Sequence, residues 1–469
     1  MAKVILIIAI LLGLVMRGFQ YRERFMYNHD TDLSAWIIKD IIVDKHIRLI
    51  GQQTTTLGIF IGPLFYYSLI PFYLLGGMDP LPSVAFSWIV SLLGVISIYW
   101  IGKKVHSKKI GLIAALIYAV SFGISLNERE VVPTTPVILW SMWFYYCVYL
   151  LWQGKRIGLY LLAILAGLIW HLNLALILVL PLSLAGFLKN LFTWTKKDLL
   201  LSSLLLFLIN IPLLAFEVRH GFSQTQYLIS SLTTVSTGNV NRLEKLYRVV
   251  YISAKNINTL FWHDLPVSHY LGLVAMLIAA GLWLRSTFFW FGLYILFFSL
   301  HPLNVSEYYL NGLQIVWMFL GAIVLSKIPR IVSALILCLF MFYNLNLFFN
   351  SPINASGYIQ RKQIAEFIRA DALAHNYPCV SVSYMTDPGY NLGYRYLFYL
   401  NNLHVNQPMS NSPVYTIVFP HTRADRLDKT FGALGLIYPD YGKYTPAQVQ
   451  DSCSGQNANL TDPMFGFTK

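Results

Sequence analysis

The chain has 469 residues, is 56% hydrophobic and only 12% charged, and carries a formal net charge of +13. Soluble domains carry about 25% charged residues, so the composition excludes an ordinary soluble protein and, with its repeated apolar runs, indicates a polytopic membrane protein. Much of the Lys and Arg lies in short loops between apolar runs, as cytoplasmic loops require, and no zinc-finger spacing or basic-aromatic repeat supports a nucleic-acid partner.

The first apolar run, residues 4–15, follows a short basic start and has no small-x-small cleavage site after it, so it reads as a retained transmembrane helix. The stretch FMYNHDTDLSAW then places His29, Asp30 and Asp32 just beyond that helix. Leu33, Trp36, Ile37, Ile41, Ile47 and Ile50 recur at roughly helical spacing among charged residues, which predicts an amphipathic helix in the membrane interface. Asp32 suits the N-cap of that helix and equally suits a reaction site. The apolar segment 57–75, entered through Gly62-Pro63, reads as a juxtamembrane or re-entrant helix.

Four basic loops, at 103–109, 155–156, 189–197 and 327–330, are free of acids and belong in the cytoplasm. Eleven crossings follow, at about 3–19, 82–102, 110–125, 136–153, 157–170, 173–187, 198–216, 268–284, 287–301, 310–326 and 331–349. The N-terminus is then inside, and the first loop (about 20–57), Glu128-Arg129-Glu130, His171, the long outer loop of about 217–267 and the stretch 301–309 are outside. Past residue 350 the hydrophobicity drops. A helix at 359–372, a strand at 379–385, a short helix at 389–401 and a strand at 414–420 predict a small extracytoplasmic α/β domain at 351–469, after a transmembrane domain at 1–350. Cys379 and Cys453 in this region are either a disulfide or two free thiols.

An acidic residue soon after the first transmembrane helix, an interfacial helix, and then Gly62-Pro63-Leu64-Phe65-Tyr66-Tyr67 resemble the GT-C glycosyltransferases. The similarity is to the branch holding protein O-mannosyltransferases, aminoarabinose transferases and their prokaryotic relatives. Gly102-Lys103-Lys104-Val105, Glu128-Arg129-Glu130 ahead of Pro133, the run Phe216 to Phe222, and Glu307-Tyr308-Tyr309-Leu310 add to it, over about residues 1–350. The resemblance implies an α-helical polytopic membrane enzyme that moves a hexose-type sugar from a polyprenyl-phosphate carrier to an extracytoplasmic acceptor, with Asp30 as base. Two departures stand out. Thr31 separates Asp30 from Asp32 where the protein mannosyltransferases have adjacent Asp-Glu. Ile61-Gly62-Pro63-Leu64 stands where the aminoarabinose transferases have Lys-Pro-Pro-Leu, so either another cation holds the lipid phosphate or the donor sits differently.

Transfer from a phosphate-linked sugar passes through an oxocarbenium-like state, and an attacking hydroxyl needs a base near the anomeric carbon. The catalytic candidates are Asp30, Asp32 and Glu128. Arg129, Arg219 and His220 are candidates for the donor phosphate. Glu130, His171, Tyr308 and Tyr309 are candidates for acceptor or sugar contacts. Each has a plainer alternative: a helix-entry residue, a self-neutralising charge cluster, a snorkelling anchor, a satisfied buried histidine, or an interfacial tyrosine belt. His and Asp are too scattered to name metal ligands, and a divalent metal stays open. The expected partners are a polyprenyl-phosphate sugar, the bilayer of the cytoplasmic membrane, and an acceptor that is protein, lipid or polysaccharide. A transporter or lipid-sugar flippase, and a surface-polysaccharide polymerase or ligase, are the rival functions.

Overall fold

The computed structural model describes residues 2–54, 56–233, 241–263, 265, 269–300, 305–407 and 410–460. The chain begins with α1 (Ala2–Gly18), then α2 (His29–Ile42) and α3 (Leu64–Leu75). There follow α4 (Val84–Val105), α5 (Lys108–Val120), α6 (Phe122–Arg129), α7 (Val137–Trp152), α8 (Arg156–Leu172), α9 (Pro181–Lys189) and α10 (Lys196–Arg219). The bundle continues through α11 (Ser223–Thr233), α12 (Arg242–Trp262), α13 (His269–Trp283), α14 (Ser286–Leu300), α15 (Gln314–Lys327) and α16 (Arg330–Asn350).

Helical structure occurs at each of the stretches expected to cross. Among the described residues four helices are long and apolar enough to span a bilayer, or up to five if the bent pair α5–α6 is one span, and several shorter apolar helices accompany them. The outermost helices turn Leu, Ile and Phe outward: Leu200 and Phe207 on α10, and Leu339 and Phe342 on α16, are all more than half exposed. Such a surface needs lipid rather than water around it. The helix Glu307–Lys327 is the opposite, with 72% of its apolar window inside the bundle.

Local chemistry explains the joints. Ser107 caps α5 by accepting from Ile110 N. Ser121 ends α5 and starts α6, accepting from Ile124 N, and its hydroxyl donates to Leu260 O at 2.7 Å, which fixes a 59° bend. Thr195 and Asp198 close a capping box at the start of α10. The α4–α5 hairpin is tight because a Cβ at Gly102 would stand 2.7 Å from Gly111 Cα, closer than side chains permit.

The stretch expected as an outer loop, 217–267, is largely helical where it is described; positions 234–240, 264 and 266–268 lie outside the described residues. Val249, Ile252, Ile257, Leu260 and Phe261 give α12 a buried face that packs into the main core beside α13 and α14. Its first two turns carry Arg242, Lys245 and Arg248, which lower its mean hydropathy and made it read as a loop.

The C-terminal part holds α17 (Tyr358–Ala374), β1 (Ser381–Thr386), α18 (Arg395–Leu400), β2 (Val414–Phe419), β3 (Lys429–Phe431), β4 (Leu434–Ile437) and α19 (Pro446–Ser452). The sheet order is β1-β2-β4-β3, with β1 parallel to β2 and the other pairs antiparallel. Cys379 and Cys453 are joined in a disulfide. This unit shares one apolar core with α2 and α3, since Trp36, Ile37, Tyr66 and Tyr73 cluster with Ile364, Tyr396, Leu397 and Ile417. Asp79 reinforces the junction, accepting from Tyr358 OH at 2.5 Å and from Lys362 Nζ at 2.7 Å.

Candidate active site

The N-cap of α2 is Asn28, whose side chain accepts from Thr31 N at 3.1 Å. This corrects the expectation that Asp32 caps the helix: helix starts at His29, so both aspartates sit in its first turn. There they meet the positive end of the helix dipole. They are two residues apart, about 200° around the axis, and therefore face different surroundings.

Asp30 is half-buried, and Gln52 Nε2 donates to its Oδ1 at 3.3 Å. A small antiparallel turn delivers Gln52, closed by Gly51 N to Ile61 O at 2.7 Å and Ile61 N to Gln52 O at 3.0 Å. Tyr66 on α3 braces Gln52 in turn, its hydroxyl donating to Gln52 Oε1 at 3.2 Å. Glu130, just past α6, accepts from Asn28 Nδ2. Burial pushes its carboxyl above the usual glutamate value, the Asn28 bond opposes this, and the neighbouring Asp30 charge adds to it. Tyr308 also lies within electrostatic range of Asp30 and packs on Tyr309 with ring centroids 4.3 Å apart. Beside it, Glu307 is ion-paired with Lys255 of α12. The structure thus gathers Gln52, Tyr66, Glu130 and Tyr308 around one partly open carboxylate, Asp30, with Lys255 paired to Glu307, the residue before Tyr308.

Asp32 is sealed, 3% exposed, and accepts from Tyr27 OH at 2.8 Å and from Tyr396 N at 3.1 Å. Burial raises its carboxyl from 3.8 to about 6, against the pull of the two hydrogen bonds and of the Arg361 and Arg395 charges. The folded state therefore holds this proton more tightly than the unfolded chain. The stability so gained is complete below about pH 4 and lost as the pH rises through about 6. Asp32→Asn keeps an acceptor for both donors and removes the titration. The expected outcome is a thermal midpoint, measured in detergent, that falls between pH 4 and 7 less steeply in Asp32→Asn than in the parent protein.

The other expected residues are spread elsewhere. Glu128 is 1% exposed and lies in an ion pair with Arg17, Nη2 to Oε2 at 2.8 Å, while Tyr118 OH donates to Oε1 at 2.6 Å. Arg129 donates to Met16 O and Phe19 O, with its guanidinium over the Phe348 ring. Arg219 and His220 line a small pocket with His46–Ile50, where Arg48 and His46 both pair with Asp40. The His220 ring stacks on Phe216. His171 is fully buried and hydrogen-bonded on both nitrogens, to Ile209 O at 3.1 Å and from Leu64 N at 3.4 Å. A Cβ on Gly62 would stand 2.0 Å from His171 Nδ1, so this histidine packs against the Gly62-Pro63 entry to α3. Tyr309 stacks on Phe298.

Asn28, Gln52 and Lys255 were not singled out from the sequence. Asn28 had a local signal, an Asn ahead of a helix; the other two are brought in by long-range packing. Among the described residues no group of three or more His, Cys, Asp and Glu side chains is placed to hold a metal ion.

Residues 62–216 match the family model described as dolichyl-phosphate-mannose-protein mannosyltransferase. The fold is similar to that of ArnT from Cupriavidus metallidurans in the apo state, at TM-score 0.61 and 8% identity over 95% of this chain and 98% of that one. It is also similar to the same organism's ArnT bound to undecaprenyl phosphate, at TM-score 0.54 and 10% identity over 92% of this chain and 97% of that one. No curated protein matches the chain in sequence. The family match thus covers one segment of the chain, residues 62–216, while the fold is similar to that of ArnT along nearly the whole of it.

Proposed function

We propose that this protein is a membrane glycosyltransferase that moves a hexose-type sugar from a polyprenyl-phosphate carrier to an acceptor hydroxyl, with inversion. The observation that carries the reading is Asp30: a partly open carboxylate on the first loop, oriented by Gln52 and flanked by Glu130 and Tyr308. The carrier is supported by the description of the matching family and by the undecaprenyl phosphate bound to ArnT.

In the proposed reaction Asp30 takes the proton of the acceptor hydroxyl as its oxygen bonds to the anomeric carbon. The bond from that carbon to the phosphate oxygen breaks, and the electron pair leaves with the polyprenyl phosphate. One carboxylate and one displacement give inversion. Glu130 and Tyr308 orient sugar or acceptor. Lys255, paired with Glu307 beside Tyr308, is the cation we assign to the leaving phosphate in place of the missing lysine before Pro63. Arg219 and His220 sit with Arg48 and Asp40 and serve as an interfacial anchor.

The reading sets the N-terminus in the cytoplasm, the first loop and residues 351–469 outside the cytoplasmic membrane, and eleven crossings between them. The basic loops support this orientation, as does the Cys379–Cys453 disulfide, which belongs in an oxidising compartment.

The test is donor consumption in proteoliposomes, supplied in turn with labelled polyprenyl-phosphate mannose, glucose, galactose and aminoarabinose and with cell-envelope extract as acceptor. Release of free polyprenyl phosphate with at least one donor is expected. If all four donors persist while one labelled lipid moves between leaflets, the protein is a flippase and the transferase reading falls.

A further inference from the structure

A cavity of about 670 Å³ lies where α1, α6 and α16 end, at the point where the chain leaves the bundle for the C-terminal unit. That volume is ordinary for a ligand pocket. Its walls include Phe122 and Leu126 of α6 and Leu347 of α16, and its polar rim includes Arg24, Arg129 and Asn350. No residue of the Asp30 cluster lines it. Arg129 and Glu130 are neighbours in sequence, yet Arg129 borders this cavity while Glu130 binds Asn28 beside Asp30.

Among the described residues, the two guanidiniums have only neutral partners. Arg24 donates to Gln20 Oε1, and to Ser351 Oγ and O at 2.6 and 3.0 Å. Arg129 donates to Met16 O and Phe19 O at 3.0 and 2.6 Å. Glu128, on the same helix as Arg129, is taken by Arg17. Each helix C-terminus offers roughly half a negative charge. The ends of α1, α6 and α16 therefore offset at most about one and a half of the two positive charges, and the cavity stays net positive. Its apolar side is built from helices that are apolar enough to lie in a bilayer.

We propose that this cavity binds the headgroup of an anionic phospholipid, with the phosphodiester between Arg24 and Arg129 and the first chain carbons against Phe122, Leu126 and Leu347. Planar guanidiniums suit phosphate oxygens, and a lipid with net negative charge balances the rim where a zwitterionic one does not. The bound lipid braces a junction. Arg24 already holds Ser351, the residue after α16, and Ala355 O accepts from Ala433 N at 2.8 Å in the C-terminal sheet region. The proposal is independent of sugar transfer, and its test does not read activity.

The full-length protein is taken into detergent with equal amounts of phosphatidylglycerol and phosphatidylcholine, and retained lipid is counted by native mass spectrometry. About a tenfold preference for phosphatidylglycerol is expected, the size of one charge-assisted hydrogen bond. Arg24→Gln should bring the two lipids near parity, and Arg24→Lys should keep most of the preference. The comparison of lipids on the parent protein needs no substitution, so a folding defect in a variant does not blur it. Equal retention of the two lipids by the parent protein, or an unchanged preference in a folded Arg24→Gln protein, overturns the proposal. So does inorganic phosphate raising the thermal midpoint as much as phosphatidylglycerol, which would mark a site for a free anion.

Discussion

Asp30→Asn is expected to lower sugar transfer by about 10²–10⁴-fold, the usual contribution of a positioned general base, while leaving the unfolding midpoint nearly unchanged. The asymmetry follows from the surroundings. Asp30 is half-buried, and its side chain accepts from Gln52 at 3.3 Å, a bond that an asparagine Oδ1 can still accept. The fold loses little, whereas an amide cannot take the acceptor's proton. The measurement is initial rate of donor consumption in proteoliposomes for both proteins at matched amounts, beside their thermal midpoints. Equal rates would remove Asp30 as base and move the role to Glu130, the other carboxylate in its electrostatic range. They would not move it to Asp32 or Glu128, which are 3% and 1% exposed and cannot meet an incoming hydroxyl without opening the structure.

Asp30 was a candidate in the sequence through its place just beyond the first apolar helix and through the resemblance. Separating Asp30 from Asp32 was not possible without the helix phase and its neighbours. Gln52 Nε2 reaches Asp30 Oδ1 across 22 positions, while Asp32 meets the backbone of Tyr396, 364 positions away. A buried role for Asp32 depends on the C-terminal unit folding back over α2, and no local pattern in the first loop carries that. The same applies to Lys255. It became a candidate cation only when α12 packed beside Glu307.

The fold was easier. Long apolar stretches announce themselves by hydropathy alone, and helical structure occupies every stretch expected to cross. The amphipathic α12 escaped because summed hydropathy averages Val249, Ile252 and Leu260 with Arg242, Lys245 and Arg248; its period, not its mean, holds the signal. The β3–β4 pair escaped for a different reason. Strands of three and four residues are too short to show an alternation.

The second large effect is on stability. Arg17 is fully buried, with Nε and Nη2 on Glu128 Oε2 at 3.0 and 2.8 Å, Nη1 on Ala119 O at 2.7 Å, and Glu128 Oε1 accepting from Tyr118 OH at 2.6 Å. Both charges depend on each other. Glu128→Leu strands a guanidinium and Arg17→Met strands a carboxylate, and each is expected to cost about 3–5 kcal/mol, because removing one partner leaves a buried charge uncompensated. The double variant removes both charges and is expected to cost clearly less than the sum, since apolar replacement of a whole buried pair is often near neutral. Unfolding free energies of the four proteins, measured in mixed micelles against rising SDS fraction, check this. The double variant also decides what Glu128 does. If it folds and still consumes donor, Glu128 serves only to pin α1 to α6. If it folds and is inactive while Asp30 is intact, Glu128 acts on the reaction through the α6 end that presents Glu130 to Asp30.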